Sequence, residues 1–527
     1  MSKLQITDTT LRDAHQSLLA TRMRTEDMLP ICEEIDKVGY WSLEMFGGAT
    51  FDSMMRYLDE DPWERVEKLR EVMPNSKFQM LLRASNVVGY HIYPDDVLEA
   101  FVIEAVDVGI DIFRIFDALN DLRNMRAAMD FVNREGGHVQ ASFCYTLSPY
   151  HNNDKFVEMA KDLYSMGADS ICIKDMAGLI SPKNAYELVT LLKDDLDIPI
   201  QLHSHSTSGM ASMAYLKAAE AGVDVVDCAI SPLSMRTSQP AVESIVEALK
   251  GTPRDTGLDI KLLSKIADYF REIWGKYKQY EGSLKGVNPQ VLQFQIPGGM
   301  LSNLDNQLRE QGALDRYDEV LEEVPKVRAE LGYPPLVTPS SQIVGTQATL
   351  NIITGERYKV IPHEVKQYIR GYYGRPPAEI DSEIQQKAIA DEEPLDCRPA
   401  DKLEPGLPKA KEALKDIPHE PRDEVSYSLF PQYALEFLKR NAQRKARGDM
   451  SPELEAALIS AVLYSSRTGP GTNSRRGTGE SWGIEGRADL MESRASALTS
   501  RSWSSTKSPW SAYGRKRMME SRKRSDL

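Results

Sequence analysis

The chain of 527 residues is long enough for roughly two or three domains, and its composition, 41% hydrophobic and 27% charged residues, is ordinary for a globular protein. No apolar run approaches the ~20 residues that a membrane-spanning helix needs. The net charge of −14 argues against nucleic acid as the partner of the whole chain.

The cysteines and the first residues indicate a reducing compartment. The five cysteines are scattered and show no Cys-x-x-Cys spacing: Cys32, Cys144, Cys172, Cys228 and Cys397. Reduced thiols of this kind are typical of a cytoplasm. The amino-terminal residues lead directly into a predicted strand, with no secretory signal before it. We therefore expect a cytoplasmic protein.

Short β-rich runs recur about every 25 to 40 residues in the first half of the chain. The eight predicted strands are Leu4–Thr10, Trp41–Phe46, Phe78–Leu82, Ile110–Phe116, Val139–Tyr145, Ser170–Lys174, Ile198–His203 and Val223–Ala229. The segments between them carry helical periodicity, and several end at a glycine before the next strand. Eight such units in about 250 residues predict an α/β fold, a (β/α)₈ TIM barrel, and not an open doubly wound sheet with a Gly-rich nucleotide turn.

A barrel of this type places its active site at the carboxyl ends of its strands. Chemically reactive residues follow the predicted strands in this sequence: Asp8 to Gln16 after the first, Glu44 on the second, Arg83 after the third, Arg114 and Asp117 with the fourth, Lys174 and Asp175 at the sixth, and His203 and His205 at the seventh. These groups are expected to gather at one rim. For Arg114 and Asp117, an ion-pair layer that serves stability remains an alternative.

The His203-Ser204-His205 stretch is the first candidate for a metal site. Residues two apart on a strand point to the same side, so both imidazoles can hold one divalent cation. Two polar residues at a strand end are the alternative. Nearby Lys174 cannot ligate a metal as an ammonium ion, so it is either a substrate-binding cation or chemically modified. A lysine carbamate would supply an oxygen ligand.

Six motifs occur here in the order in which one known family carries them. They are Asp8–Ser17, Leu81–Arg83, Phe113–Asn120, Ile173–Gly178, His203–His205 and Pro297–Asn303. Over roughly residues 1 to 465 the chain resembles the biotin-dependent carboxyltransferases, a family that includes the oxaloacetate decarboxylase alpha subunit, the B subunit of pyruvate carboxylase and the pyruvate-side subunit of transcarboxylase. The resemblance implies a TIM barrel followed by a mainly helical second domain that closes its mouth.

The resemblance also implies a metal centre. Asp13, His203, His205 and a carbamylated Lys174 would ligate one divalent ion, zinc or else cobalt or manganese. Lys174 would thereby count among the catalytic residues. The reaction implied is transfer of CO₂ between oxaloacetate or pyruvate and biotin, through enolpyruvate.

The same resemblance assigns the substrate residues. Arg12, Gln16, Arg83 and Tyr90 would bind the 2-oxo acid, and Arg83 would also stabilise the charge that develops on the enolate oxygen. Ser302 falls where the family places a hydroxyl, threonine in some members, that shuttles a proton between biotin and the enol of pyruvate. Serine keeps that hydroxyl, so the departure from threonine costs the chemistry little.

Beyond the barrel, the sequence predicts further helices and a change of composition. Leu262–Lys276 and Asn303–Arg328 are predicted as long helices, with a Gly298-Gly299 turn between them at the height of the mouth, and Pro431–Tyr464 is predicted to be helical. The predicted domains are the barrel at 1–260, a helical extension and post-barrel domain at 261–425, a helical segment at 426–465, and a basic Ser/Arg-rich tail at 466–527.

The tail lacks the features of a biotin-carrying domain. It holds 13 Ser, 10 Arg and 3 Lys against 6 acidic residues, with little apolar periodicity, so we expect disorder. The Ala-Met-Lys-Met tetrapeptide that carries biotin in the family is absent from the sequence. We therefore expect a biotin carrier protein in trans, and the tail is either functional or a frameshifted remnant of a biotinyl domain.

The resemblance implies further partners and leaves two other function classes open. The implied partners are a biotin carboxylase subunit or membrane decarboxylase subunits, and a second copy of the chain in a homodimer. One open class is a metal-dependent acyl-CoA lyase or condensing enzyme, which shares Asp8–Asp13 and the His-x-His pair; Lys174 and the second domain argue against it. The other is a catalytically idle assembly subunit. Decarboxylation, carboxylation and transcarboxylation all use the same half-reaction, so the net direction stays open.

Overall fold

Eight parallel strands close into a barrel in chain order, which confirms the predicted fold. The computed structural model describes residues 2–282, 284–310 and 312–446. The strands are β1 (Gln5–Asp8), β2 (Ser42–Gly47), β3 (Phe78–Leu82), β4 (Ile112–Phe116), β5 (His138–Cys144), β6 (Ser170–Asp175), β7 (Ile200–Ser204) and β8 (Val225–Cys228). The first predicted strand ran two residues too far, because a π-helical turn, Thr10–Ala14, follows Asp8 almost at once.

One helix follows each strand on the outside of the barrel. These helices are Thr25–Asp36, Pro62–Val72, Asp95–Asp107, Leu122–Arg134, Asn153–Ser165, Pro182–Asp195, Ala211–Ala221 and Val242–Leu249. Their boundaries follow ordinary capping chemistry. The Asp61 carboxylate accepts from the backbone N–H groups of Trp63 and Glu64, with Pro62 at the first helical position. Gly222, at φ 98°, ends the seventh helix in the left-handed conformation that glycine adopts freely.

Short helical turns occupy the loops at the carboxyl ends of the strands, where the predicted site lies. They are Thr10–Ala14, His15–Leu18, Thr50–Ser53, Met54–Leu58, Ala84–Asn86 and Ser231–Leu233. The loops after β1, β2, β3 and β8 therefore contain regular backbone.

The chain beyond the barrel is helical, as expected. Its helices and turns are Ile260–Tyr277, Lys278–Tyr280, Gln290–Phe294, Gly298–Glu310, Leu314–Arg316, Tyr317–Glu330, Ser340–Thr354, His363–Ile369, Ser382–Ile389, Pro399–Lys402, Leu407–Leu414, Pro421–Leu429 and Pro431–Ala446. The barrel and the following segments up to Lys439 form one compact unit. The predicted tail and the part of the predicted last helix beyond Ala446 lie outside the described residues. In the part of the chain that is described, none of the helices combines the length and the apolar character that crossing a bilayer requires.

Two expectations for this region were wrong. The predicted helix Asn303–Arg328 is two helices, Gly298–Glu310 and Tyr317–Glu330, with Gly312 at φ 66° in the break between them. Gly298 and Gly299 form the first turn of the former helix and not a turn between helices. Gly298 is required there because a Cβ atom would overlap the methyl group of Thr237.

Buried polar contacts hold the helical extension on the mouth of the barrel. Arg328 is 5% exposed, and it donates to the Thr146 hydroxyl (2.8 Å) and the Leu147 carbonyl (3.2 Å) after β5. Asn124, beyond β4, donates to the Tyr373 carbonyl at 3.2 Å. The extension therefore closes over the loops after β4 and β5.

An aromatic cluster fills part of the core between the barrel and its outer helices. Phe101 is fully buried, with its ring centre 5.2 Å from that of Trp63, 5.8 Å from Phe51 and 6.4 Å from Phe46. Aromatic pairs at these separations contribute beyond the area that they bury.

We predict that Phe101→Ala destabilises the protein by about 3–5 kcal/mol, because it leaves a cavity inside this cluster. Ile103→Ala is the matched control, since Ile103 lies on the same helix and is 38% exposed; it is expected to change stability by less than about 0.5 kcal/mol. Thermal unfolding of the two variants beside the wild type checks this. Equal midpoints for both variants would contradict the role of the cluster.

Candidate metal centre and active site

Three predicted metal ligands meet at the carboxyl end of the barrel. Asp13 lies on the turn after β1, His203 on β7 and His205 directly after it, and all three are buried. One ligand atom from each lies within 4.8 Å of the others. The Nε2 atom of each imidazole is 3.4 Å from Asp13 Oδ2. This separation leaves room for one ion bound by all three.

The second nitrogen of each imidazole is already engaged. His203 Nδ1 lies 2.7 Å from an oxygen of Asp227, and His205 Nδ1 lies 2.6 Å from the Thr237 carbonyl. Each Nδ1–H donates to its acceptor, which leaves the Nε2 lone pair directed at Asp13. His203 Nε2 is buried and has no hydrogen-bond partner among the described residues. A buried lone pair without a donor is suited to ligate a metal ion, so the residues fit a divalent cation.

Two of the ligands, Asp13 and His203, are also held in the protonation states that metal binding requires. Burial lowers the pKa of His203 to about 3, and the Lys174 ammonium adds to this effect. Burial alone would raise the pKa of Asp13, but the Arg12 guanidinium, 3.4 Å away, is the largest opposing cause, and that pKa is held well below its usual range. A neutral imidazole and a carboxylate are therefore present at neutral pH.

An ion pair inside the barrel orients His203. Asp227 on β8 accepts from both terminal nitrogens of Arg114, one of them at 3.0 Å, and from His203. Arg114 also donates to Gln140 at 2.6 Å, and all four side chains are buried. Arg114 thus pairs with Asp227, whereas Asp117 accepts from the backbone N–H groups of its own loop.

Two residues of this site were not predicted from the sequence. Gln239, after β8, donates to Asp13 Oδ2 at 2.9 Å and accepts from the Thr9 hydroxyl at 2.7 Å. No motif marks it. Asp227 carried a detectable signal, because it is a lone carboxylate inside the apolar run Val225–Cys228.

Lys174 lies beside His203, since the two are partners in the register of β6 and β7. It is fully buried, and its Nζ contacts the Met176 sulfur at 2.6 Å and lies 5.2 Å from the centre of the Phe116 ring. Within the described ranges, no carboxylate lies at ion-pair distance from this Nζ. Burial lowers the pKa of Lys174, which favours the neutral amine.

The four predicted substrate residues form two neighbouring pairs. Arg12 Nη2 donates to both carboxylate oxygens of Glu44, at 2.9 and 2.8 Å, while its Nη1 is 3.4 Å from Gln16 Oε1. Arg83 Nη1 donates to the carbonyls of Val88 (2.6 Å) and Gly89 (3.0 Å).

The second pair opens onto a cavity. The guanidinium carbon of Arg83 lies 5.3 Å from the centre of the Tyr90 ring. Tyr90, which is half-buried, also lines a cavity of about 700 Å³ together with residues of the helices Ser340–Thr354 and His363–Ile369. Tyr90 therefore contacts both Arg83 and an open space large enough for a small ligand.

Ser302 lies on the helix Gly298–Glu310, but its side chain falls outside the described part of the structure. Its role stays a prediction. The start of that helix is close to the metal centre, because Gly298 packs against Thr207 and Thr237, and the Thr237 carbonyl accepts from His205.

Comparisons with known proteins cover both parts of the chain. A family model described as HMGL-like matches residues 3–270, and one described as a conserved carboxylase domain matches residues 291–467. The B subunit of pyruvate carboxylase from Methanocaldococcus jannaschii is 57% identical over 440 residues, 83% of this chain and 78% of that protein. The 2-oxoglutarate carboxylase large subunit of Hydrogenobacter thermophilus is 46% identical over 477 residues, 89% of this chain and 72% of that protein.

A solved structure gives the same relationship in three dimensions. The carboxyl transferase domain of Rhizobium etli pyruvate carboxylase, determined with pyruvate and biocytin, has a TM-score of 0.80 and 38% identity. The match covers 83% of this chain and 77% of that one.

We predict that Asp227→Asn weakens binding of a divalent metal by about 10- to 100-fold, because the amide no longer fixes the Nδ1–H form of His203. Chelator competition with purified protein measures this. Asp224→Asn is the control, as Asp224 makes a half-exposed pair with Lys193 just before β8. Unchanged metal affinity in a folded Asp227→Asn variant would refute the orienting role.

Proposed function

The chain belongs to the family of biotin-dependent carboxyltransferases, and we propose that its Asp13–His203–His205 site is where CO₂ moves between oxaloacetate or pyruvate and biotin. The protein is an enzyme of carboxyl transfer. The observation that carries the assignment of the site is the buried Nε2 of His203, which has no hydrogen-bond partner among the described residues and faces Asp13 while Nδ1 is held by Asp227.

The second family match favours this activity over an acyl-CoA lyase or condensing enzyme. The HMGL-like match is confined to residues 3–270, which hold the barrel, whereas residues 291–467 match a conserved carboxylase domain. The alternative class was predicted from the barrel motifs alone. The post-barrel helices therefore support the carboxyltransferase assignment.

We propose that Asp13, His203, His205 and a carbamylated Lys174 hold the metal. An ion bound there would act as a Lewis acid on the keto oxygen of the substrate. Zinc suits two imidazoles with carboxylate-type oxygens, and cobalt or manganese are alternatives. Carbamylation is supported by the burial of Lys174 without a carboxylate partner in the described structure, since a neutral amine adds CO₂ and the resulting carbamate is an anionic oxygen ligand.

Arg12, Gln16, Arg83 and Tyr90 are proposed to bind the 2-oxo acid. The guanidinium of Arg83 is fixed through one nitrogen by two carbonyls, and its other N–H groups, which have no acceptor among the described residues, can bind a carboxylate or an enolate oxygen. Positive charge that is preorganised in a buried site stabilises the enolate as it forms. The pair of Arg12 with Glu44 similarly fixes Arg12 beside Asp13.

The proton balance assigns a role to Ser302. When CO₂ leaves carboxybiotin, the ureido nitrogen must gain a proton; when pyruvate becomes the enolate that attacks CO₂, its methyl carbon must lose one. A hydroxyl within reach of both can give its proton to biotin and take one from pyruvate. We propose Ser302 for this exchange, supported by the approach of Gly298 to the loop that binds His205.

Biotin reaches the site on a separate domain or a separate protein. We propose a carrier in trans that works with a biotin carboxylase subunit or with membrane decarboxylase subunits. Two of the relatives are themselves named as single subunits of larger carboxylases, which supports partner subunits here. A homodimer and a cytoplasmic location stay predictions.

We expect the purified chain with a divalent metal to release pyruvate from oxaloacetate, and free biotin to raise the rate several-fold, because biotin accepts the carboxyl group. A coupled assay for pyruvate measures this. Carboxylated 2-oxoglutarate is the comparison donor, given the 2-oxoglutarate carboxylase relative. Turnover of carboxylated 2-oxoglutarate alone would identify it as the substrate in place of oxaloacetate. Turnover of neither donor by metal-loaded protein would contradict the proposed function.

We predict that Lys174→Ala lowers biotin-dependent turnover on the order of 100-fold and lowers the bound metal as well. Labelling with ¹³C-bicarbonate should give a carbamate signal in the carbon NMR spectrum of the wild type and none in the variant. Lys161→Ala is the control, because Lys161 makes an exposed pair with Asp195 on the outer surface. A metal-loaded, active wild type without a carbamate signal would contradict the proposed carbamylation of Lys174.

A further inference from the structure

We infer that a segment on the outside of the barrel, the helix Pro421–Leu429 with Phe430 directly after it, positions two loops that orient keto-acid side chains: the loop after β3 carries Arg83 and Tyr90, and the loop after β2 contacts Gln16. We call this segment the outer strap. The inference rests on the proposed function for the identity of the substrate, but the contacts that carry it belong to the structure alone. The two loops are residues 47–58 after β2 and residues 83–93 after β3.

The strap contacts the β3 loop through Tyr93. The Tyr93 hydroxyl donates to the Leu429 carbonyl at 2.7 Å, and the ring is 4% exposed. The same ring packs so closely under the turn that a Cβ atom on Gly89 would overlap it. The carbonyls of Val88 and Gly89 are the two acceptors that fix Arg83. Tyr93 therefore supports the backbone that aims Arg83.

The strap contacts the β2 loop through Phe51. The Phe430 ring stacks on the Phe51 ring, with centres 6.1 Å apart and planes inclined by 28°. Phe51 lies on the short helix Thr50–Ser53, directly after Ala49. The Ala49 N–H donates to Gln16 Oε1 at 2.9 Å, so this backbone fixes the orientation of the Gln16 amide. Displacement of Phe51 would move that donor.

Further contacts fix the strap to the barrel independently of the loops. The Trp63 indole N–H donates to the Ser426 hydroxyl at 3.0 Å, with both residues buried. Arg422 pairs with Glu67 at 3.0 Å on the outer helix Pro62–Val72. Two side chains of the strap itself, Val425 and Leu429, are buried. The strap is thus anchored to the barrel by contacts other than those with the two loops.

Two consecutive residues of the strap reach the two loops. Leu429 holds the β3 loop through its carbonyl, and Phe430 holds the β2 loop through its ring. Arg83 and Tyr90 depend on the first contact and Gln16 on the second. None of the strap residues contacts the metal ligands in the described structure, so Tyr93, Leu429 and Phe430 are positioning residues for the keto acid.

The test compares Tyr93→Phe, which removes one hydroxyl, and Phe430→Leu, which removes the aromatic stack. Tyr93→Phe is expected to raise the KM for oxaloacetate about three- to tenfold, the effect of losing one hydrogen bond of ordinary strength, and to lower kcat as well, because Arg83 also faces the enolate. Phe430→Leu is expected to raise the KM by a similar factor through loss of the aromatic pair, with kcat changed less than about twofold. Bound metal should stay constant. A purely structural role would lower the amount of active enzyme and leave KM unaltered.

Hydrogen exchange of the ligand-free protein provides a readout that needs no substrate. Tyr93→Phe should speed exchange within residues 83–93 and Phe430→Leu within residues 47–58. Tyr269→Phe is the matched control, since the Tyr269 hydroxyl donates to the Asp27 carbonyl at 2.8 Å, outside both loops. It should alter neither KM nor exchange in these loops.

Unchanged exchange in both loops, or an unchanged KM in folded Tyr93→Phe and Phe430→Leu variants, would overturn the inference. A wild-type protein that fails to turn over oxaloacetate would contradict the proposed function instead. In that case the exchange measurement still decides whether the strap holds the loops, so the two failures are distinguishable.

Discussion

Burial of charge inside the barrel is the constraint on which the site depends. An ion removed from water costs several kcal/mol unless a partner and hydrogen bonds compensate it. Arg114 is fully buried and is compensated by Asp227, and Arg12 by Glu44. Each pair also touches the metal centre, because Asp227 accepts from His203 and Arg12 lies 3.4 Å from Asp13. The interactions that make buried charge tolerable therefore also set the geometry of the ligands.

The groups left without compensation are informative for the same reason. The Nε2 of His203, the Nε of Arg12 and the hydroxyls of Ser206 and Thr207 are buried near the mouth without partners in the described residues. A stable core rarely tolerates such atoms so close together. Lys174, buried beside the same histidine, adds an amine without a carboxylate. The site therefore combines buried, hydrogen-bonded ion pairs with polar atoms at the mouth that lack partners in the described residues. This arrangement is expected where a ligand completes the structure.

The barrel could be predicted because its signals are local. Each strand is a short β-rich run of four to seven residues, and the reactive residues lie at or just after the strand ends, so Asp13, Lys174, His203 and His205 could be placed at one rim. Gln239 could not, since its importance arises from a contact 226 residues away with Asp13. The break between Glu310 and Tyr317 was missed because helical periodicity continues across Gly312. The outer strap depends on contacts with no sequence signature at all.

The contact between Tyr93 and Leu429 joins residues 336 positions apart. A ribosome that adds about 5–20 residues per second takes roughly 20–70 s to cover that distance. The strands and their helices can assemble during this interval, but the loop that carries Arg83 and the loop that contacts Gln16 gain this support only when residues 421–430 have been synthesised. Until then the face of the Phe51 ring that stacks on Phe430 would lack its partner, so the support of the substrate pocket is completed only after the barrel itself has been synthesised.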